Sequence, residues 1–202
     1  MSYHPVESEE AWELLSPRLN RQCSRDRFYM MTAPATNSSV WVGDKVVWIK
    51  LSGRASFNSS VDFKTLINSL WQKGYCCFVL DLTDCLLMDS TFLGVLAGLG
   101  LKFSSSRNNG NNATIELLNP NARISDLLDN LGVSHLFRAA TGARSVPENL
   151  AALDTAPTHA DRKEISKTCL EAHQTLMKIN PDNVAKFKDV AQFLAEDLKK
   201  ME

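Results

Sequence analysis

From Val40 onward the chain alternates and groups its apolar residues in ways that name the elements. Val40-Trp41-Val42, then Gly43-Asp44, then Val46-Val47-Trp48-Ile49-Lys50-Leu51 predicts a β-hairpin turning at Gly43-Asp44. Val61, Phe63, Leu66, Ile67, Leu70 and Trp71 recur at helical spacing over 59–73, and Gly74 stands where a helix commonly ends. Cys76 to Leu82 is a continuous apolar run closed by Asp81, the pattern of a strand covered on both faces. Ser90 to Ser104 predicts a helix, Ala113 to Leu118 a strand, and Asn121 to Asn130 a helix with Gly132 just beyond it. Leu136-Phe137 opens a last short strand or helical turn. The order β-β-α-β-α-β-α is that of an α/β layered domain.

Both ends extend this pattern. Residues 1–37 read as an N-terminal extension without sustained periodicity, with a short helix expected near Trp12. Residues 143–160 are rich in Ala, Thr and Pro and read as a linker. Beyond it, Ile165, Cys169, Ala172, Leu176 and Ile179 form one stripe, and Val184, Phe187, Ala191, Leu194 and Leu198 form another. Asn180-Pro181-Asp182 separates them, which predicts a helical hairpin over 161–202. Two such helices are marginal alone in water. The hairpin is therefore expected to be ordered against a surface and to support self-association or partner contact.

Composition removes several classes of function. The formal net charge of −1 leaves no basic excess for nucleic acid or an anionic membrane, and no apolar run approaches the length of a membrane span. The five cysteines, Cys23, Cys76, Cys77, Cys85 and Cys169, form no CxxC pair, and the first residues show no secretory pattern, so a reducing, cytoplasmic setting is expected. The histidines at 4, 135, 159 and 173 lack ligand spacing, and the phosphate-loop, nucleophile-elbow and zinc-protease motifs do not occur. Asp81, Asp84 and Asp89 lie close in sequence, but Thr83, Cys85, Leu86 and Leu87 add no further hard ligands for a metal. An enzyme is not expected, nor a cofactor or metal.

The most informative stretch is Leu82–Leu101, LTDCLLMDSTFLGVLAGLGL. Asp89 and Ser90 stand at the start of a helix, and Ser90 is suited to cap it. That helix carries no charge from Thr91 to Leu101 and is apolar on both faces, so both faces must be covered. Gly94, Gly98 and Gly100 each cost about 1 kcal/mol relative to Ala in a helix interior, and are tolerated where another backbone or a partner comes close.

Met88-Asp89-Ser90-Thr91-Phe92-Leu93-Gly94-Val95-Leu96 resembles the signature of the STAS family of anti-sigma-factor antagonists. Three further landmarks agree in order: Val46–Gly53, ending in Leu51-Ser52-Gly53; Phe78-Val79-Leu80-Asp81-Leu82; and Leu131-Gly132-Val133 through Leu136-Phe137. The resemblance covers about residues 38–142 and implies an α/β, STAS-like layered domain, a small β-sheet flanked by helices, followed by the C-terminal helical hairpin. It also implies a phospho-switch. The unphosphorylated antagonist binds an anti-sigma factor that is also a serine kinase, phosphorylation releases it, and a phosphatase restores it.

The residue that carries over is Ser90, with Thr91 as second choice. The implied partner-docking face comprises Ser56, Phe57, Asp89, Ser90, Thr91, Phe92, Val95, Asn119 and Asn121. Antagonists usually carry an aspartate where Ser56 stands. The alternative implied by the same resemblance is a constitutive STAS scaffold subunit, in a lipid-transport ATPase or a stress-signalling assembly.

Overall fold

The computed structural model describes residues 31–33, 37–106, 113–157 and 160–201. The expectations for most of the N-terminal extension, for Cys23 and for His4 and His159 lie outside the described residues.

The first hairpin joins β2 (Asn37–Gly43) to β3 (Val46–Ala55), antiparallel with Val40 opposite Ile49. Its turn is one residue later than the sequence suggests. Asp44 and Lys45 take φ of 46° and 67°, the left-handed pair that matches strand twist in a two-residue turn. Gly43 closes the strand, and a Cβ there would stand 2.8 Å from the Asn149 carbonyl oxygen, so the position takes glycine.

Around that hairpin the sheet grows by parallel crossovers. β4 (Cys77–Asp81) pairs with β3, β6 (Thr114–Leu118) with β4, and β7 (Arg138–Ala140) with β6. β8 (Ala151–Leu153) adds antiparallel to β2, so the order is β7-β6-β4-β3-β2-β8. A short β5 (Cys85–Met88) pairs with the far end of β3 after a register shift at Gly53/Arg54. Four apolar residues between Asp84 and Asp89 show no alternation in the sequence that would mark a strand. β1 (Met31–Ala33) and β9 (Thr155–Pro157) form a separate parallel pair.

The period-2 alternation of the strands separates two cores. Val47, Ile49, Leu51, Phe78, Leu80, Ile115 and Leu117 face the helices. Trp48, Val79 and Leu118 face the other way and are covered by Trp41, Cys77, Ala140, Val146 and Leu150. The Ala/Thr/Pro-rich stretch after β7 thus crosses the second sheet face before ending in β8 and β9.

On the first face lie α1 (Phe57–Gln72) and α2 (Ser90–Ser106), with α3 (Ala122–Asn130) at the edge beyond β6. The C-terminal hairpin is α4 (Arg162–Ile179) and α5 (Val184–Lys200), joined by a tight turn at Pro181–Asn183. α4 packs directly along α2, and α5 packs on α4. The two apolar faces of α2 are therefore both used: one lies on the sheet and α1, the other lies under α4. Among the described residues no helix is long and apolar enough to cross a membrane.

Candidate functional site

The site sits at the start of α2, where the β5 connection enters the helix. Asp89 does the capping that the sequence assigned to Ser90. Its Oδ1 accepts a bond from the Phe92 amide at 2.8 Å, and its Oδ2 accepts one from the Phe57 amide at 2.8 Å. One carboxylate thus satisfies backbone donors at the N-termini of α2 and α1 together, where both helix dipoles favour negative charge. The Asp89 amide donates in turn to the Ala55 carbonyl at 3.0 Å, which fixes the carboxylate against the end of β3.

Because Asp89 takes the cap, the Ser90 hydroxyl is left to the helix exterior. It stands 3.1 Å from Nε2 of His173 on α4. The Thr91 hydroxyl donates to Cys169 Sγ at 3.7 Å. One turn on, Gly94 lets the two helix backbones meet: a Cβ there would stand 2.7 Å from the Ala172 carbonyl oxygen and 2.8 Å from its Cβ. Cys169, Ala172 and His173 occupy one face of α4 by their i, i+3, i+4 spacing. Sequence reasoning noted Cys169 and Ala172 as apolar stripe residues but treated His173 as isolated. Its place beside that stripe was the available signal.

His173 is buried, its ring centroid 4.9 Å from that of Phe187 on α5. Burial pushes its pKa below the ordinary value, while the Cys169 backbone and the charge of Asp89 pull the other way. Burial likewise pushes the Cys169 thiol up.

The other expected docking residues divide into two groups. Phe92 is 0% exposed, its ring 4.7 Å from that of Phe63, and it belongs to the core rather than to a surface. Thr91 and Val95 are also buried, at 6% and 7%. Phe57, by contrast, is exposed, as is Leu86 in β5, which the sequence pattern does not single out. Ser56 is half-buried at the entry to α1, its amide donating to Ser59 Oγ at 3.3 Å.

Asn119 and Asn121 act as clips. Asn119, with φ of 53°, joins Thr83 Oγ1 and both backbone polar groups of Gly142. Asn121 caps α3 through the Ile124 amide and donates to the Cys85 and Leu86 carbonyls. Asp81 is occupied by the amide and hydroxyl of Thr83, and Asp84 pairs with Lys50 at 2.7 Å.

The STAS domain model matches residues 39–148, more than half of the 202. The chain belongs to the STAS domain family. Among solved structures, the protein TM1081 of Thermotoga maritima is 22% identical, with a TM-score of 0.45 over 52% of this chain and 85% of that one. The anti-sigma factor antagonist SpoIIAA in its unphosphorylated form is 15% identical, with a TM-score of 0.42 over 54% of this chain and 89% of that one. An anti-sigma factor antagonist from Mycobacterium paratuberculosis is 16% identical, with a TM-score of 0.44 over 54% and 89%. Comparison with curated proteins gives no match. The helical hairpin begins beyond the residues matched to the STAS model.

Proposed function

We propose that this STAS protein is a phospho-switched anti-sigma-factor antagonist, with no catalytic activity of its own, working in a reducing, cytoplasmic setting. Unphosphorylated, it binds an anti-sigma factor that is also a serine kinase. The kinase moves the terminal phosphoryl group of a nucleoside triphosphate to Ser90 Oγ, the complex separates, and a phosphatase resets it. The observation that carries this reading is the division of labour at the helix start. Asp89 holds the cap, so the adjacent Ser90 hydroxyl can change its charge without unfolding α2.

A phosphate adds roughly −1.5 to −2 charges at neutral pH. At a helix N-terminus the dipole tolerates that anion, whereas a partner docked beside Asp89 meets two like charges. A Ser90→Asp variant is expected to stay folded and lose the partner captured by the wild type, and Ser90→Ala to bind constitutively. Equal capture by Ser90→Asp and wild type sinks the switch. Thr91 is a poorer acceptor, being 6% exposed and bonded to Cys169.

One feature favours the second reading, a constitutive scaffold subunit in a larger assembly. Val190 and Phe193 of α5 are large, apolar and exposed. They offer the hairpin a surface for self-association or for a permanent neighbour. Stoichiometric co-purification with an ATPase or a stress-signalling assembly, with Ser90 unmodified in growing cells, would select this reading over the first.

A further inference from the structure

We propose that the α4–α5 hairpin is a removable cover on the docking face of α2, and that it must lift before any partner, a kinase included, reaches Ser90. The occupant of the face is thus a segment of this chain. The idea takes its biological use from the phospho-switch reading, but it is a statement about the hairpin and is tested on the hairpin alone.

Ser90 is half-buried, and α4 covers one side of it. His173 Nε2 stands 3.1 Å from Ser90 Oγ, the space a phosphoryl group on that oxygen would fill. Thr91 and Val95 are buried. A kinase must enclose its acceptor hydroxyl, and a docked partner must touch the α2 surface; α4 stands where both would be.

The contact is also built to separate. Its α2 side carries Ser90, Thr91, Gly94 and Gly98, and its α4 side Cys169, Ala172, His173 and Thr175. Small and polar groups meet at the Ser90 end of this contact, while the large apolar contact of α4, the fully buried Leu176, lies toward its C-terminal end. The ion pair tying α4 to α1, Lys64–Glu171 at 2.6 Å, is partly exposed on both sides and readily replaced by water. The hairpin is held most firmly at its turn. There the buried Asn183 donates to the Leu131 and Leu176 carbonyls at 3.0 Å each, and Leu176 is fully buried. The firm end is remote from Ser90 along the helix, and the end over Ser90 is the one with small, polar contacts.

Two native cysteines make the test. Cys169 lies in the α2–α4 contact, and Cys85 lies in the domain core; both are buried. Alkylation of each in the full-length protein, followed by peptide mass spectrometry, reads hairpin opening and domain opening in one sample. Cys169 is expected to react at least about tenfold faster than Cys85, and amides of α4 to exchange faster than those of β4. Gly94→Ala is the wedge: the atoms nearest to the added Cβ all belong to Ala172 of α4, so it should raise the Cys169 rate several-fold and leave Cys85 unchanged.

Equal rates for the two cysteines, rising together in Gly94→Ala, overturn the cover and make the hairpin an inseparable part of the fold. If Gly94→Ala does not fold, the wild type in sub-denaturing urea decides. Cys169 reacting before Cys85 supports the cover, and simultaneous reaction overturns it. Neither result depends on whether Ser90 is phosphorylated, so failure of the cover and failure of the switch are separately visible.

Discussion

At the scale of single residues, two neighbours at the start of α2 carry opposite duties. Asp89 binds two amides from two helices, and each bond to a charged acceptor is worth about 1.5–3 kcal/mol. Asp89→Ala is therefore expected to lower stability by about 2–4 kcal/mol in urea unfolding, and Ser90→Ala by less than about 1 kcal/mol. Similar losses for the two would contradict the assignment of the cap to Asp89. His173 adds a pH dependence. Its packed ring disfavours the proton because of burial, with the Cys169 backbone and Asp89 pulling the other way, Ser90 bonded to Nε2 and Phe187 against the ring. A released His173 titrates near its ordinary value of about 6.5. The released state thus binds more protons, so docking is strongest above that pH and weakens as pH falls through it. Amide exchange in α4, corrected for the intrinsic effect of pH, should accelerate between pH 7 and pH 5, and His173→Gln should flatten the change.

At the scale of elements, α2 shows how far a pattern can be read. Its charge-free run required cover on both faces, which holds in the structure, and its glycines required a close neighbour, which holds for Gly94 against Ala172 and Gly100 against Leu136 but not for Gly98, where a Cβ would stand an ordinary 3.8 Å from Thr175. What the pattern could not say is which apolar residue faces which neighbour. Phe92 was expected on the docking face, yet it turns toward Phe63, because helix position and sheet register together point it inward. Phe92→Ala should cost about 3–5 kcal/mol, as for a large core deletion, and a loss under 1 kcal/mol would return it to the surface. β5 escaped notice for a related reason. Four apolar residues between Asp84 and Asp89 are too few to show a periodicity of their own, and only pairing with the end of β3 makes them a strand. The turn at Asn180–Asn183 offers the matching test for the hairpin. Asn183→Ala leaves the Leu131 and Leu176 carbonyls without their side-chain donor, and should speed exchange in α4 and α5 more than in β4.

At the scale of the whole molecule, the hairpin closes the helical side, as the segment through Val146 and Leu150 closes the other side of the sheet. If the exposed Val190 and Phe193 face of α5 mediates self-association, light scattering of the full chain gives more than one chain mass, and Phe193→Asp restores a single one. An unchanged mass in the variant removes that face from any oligomer. Most elements of the α/β domain, β5 and β8 excepted, the two hairpin helices and the Asp89-Ser90 motif were legible in the sequence, because period, caps and glycine positions are local properties of the chain. Three things were decided only in three dimensions: that Asp89 ties the start of α1 to that of α2, that Phe92 points inward, and that α4 lies on α2 with His173 over Ser90. Each depends on partners far away in sequence, 83 residues in the case of Ser90 and His173, and local spacing carries no information about which distant surface two complementary faces will choose.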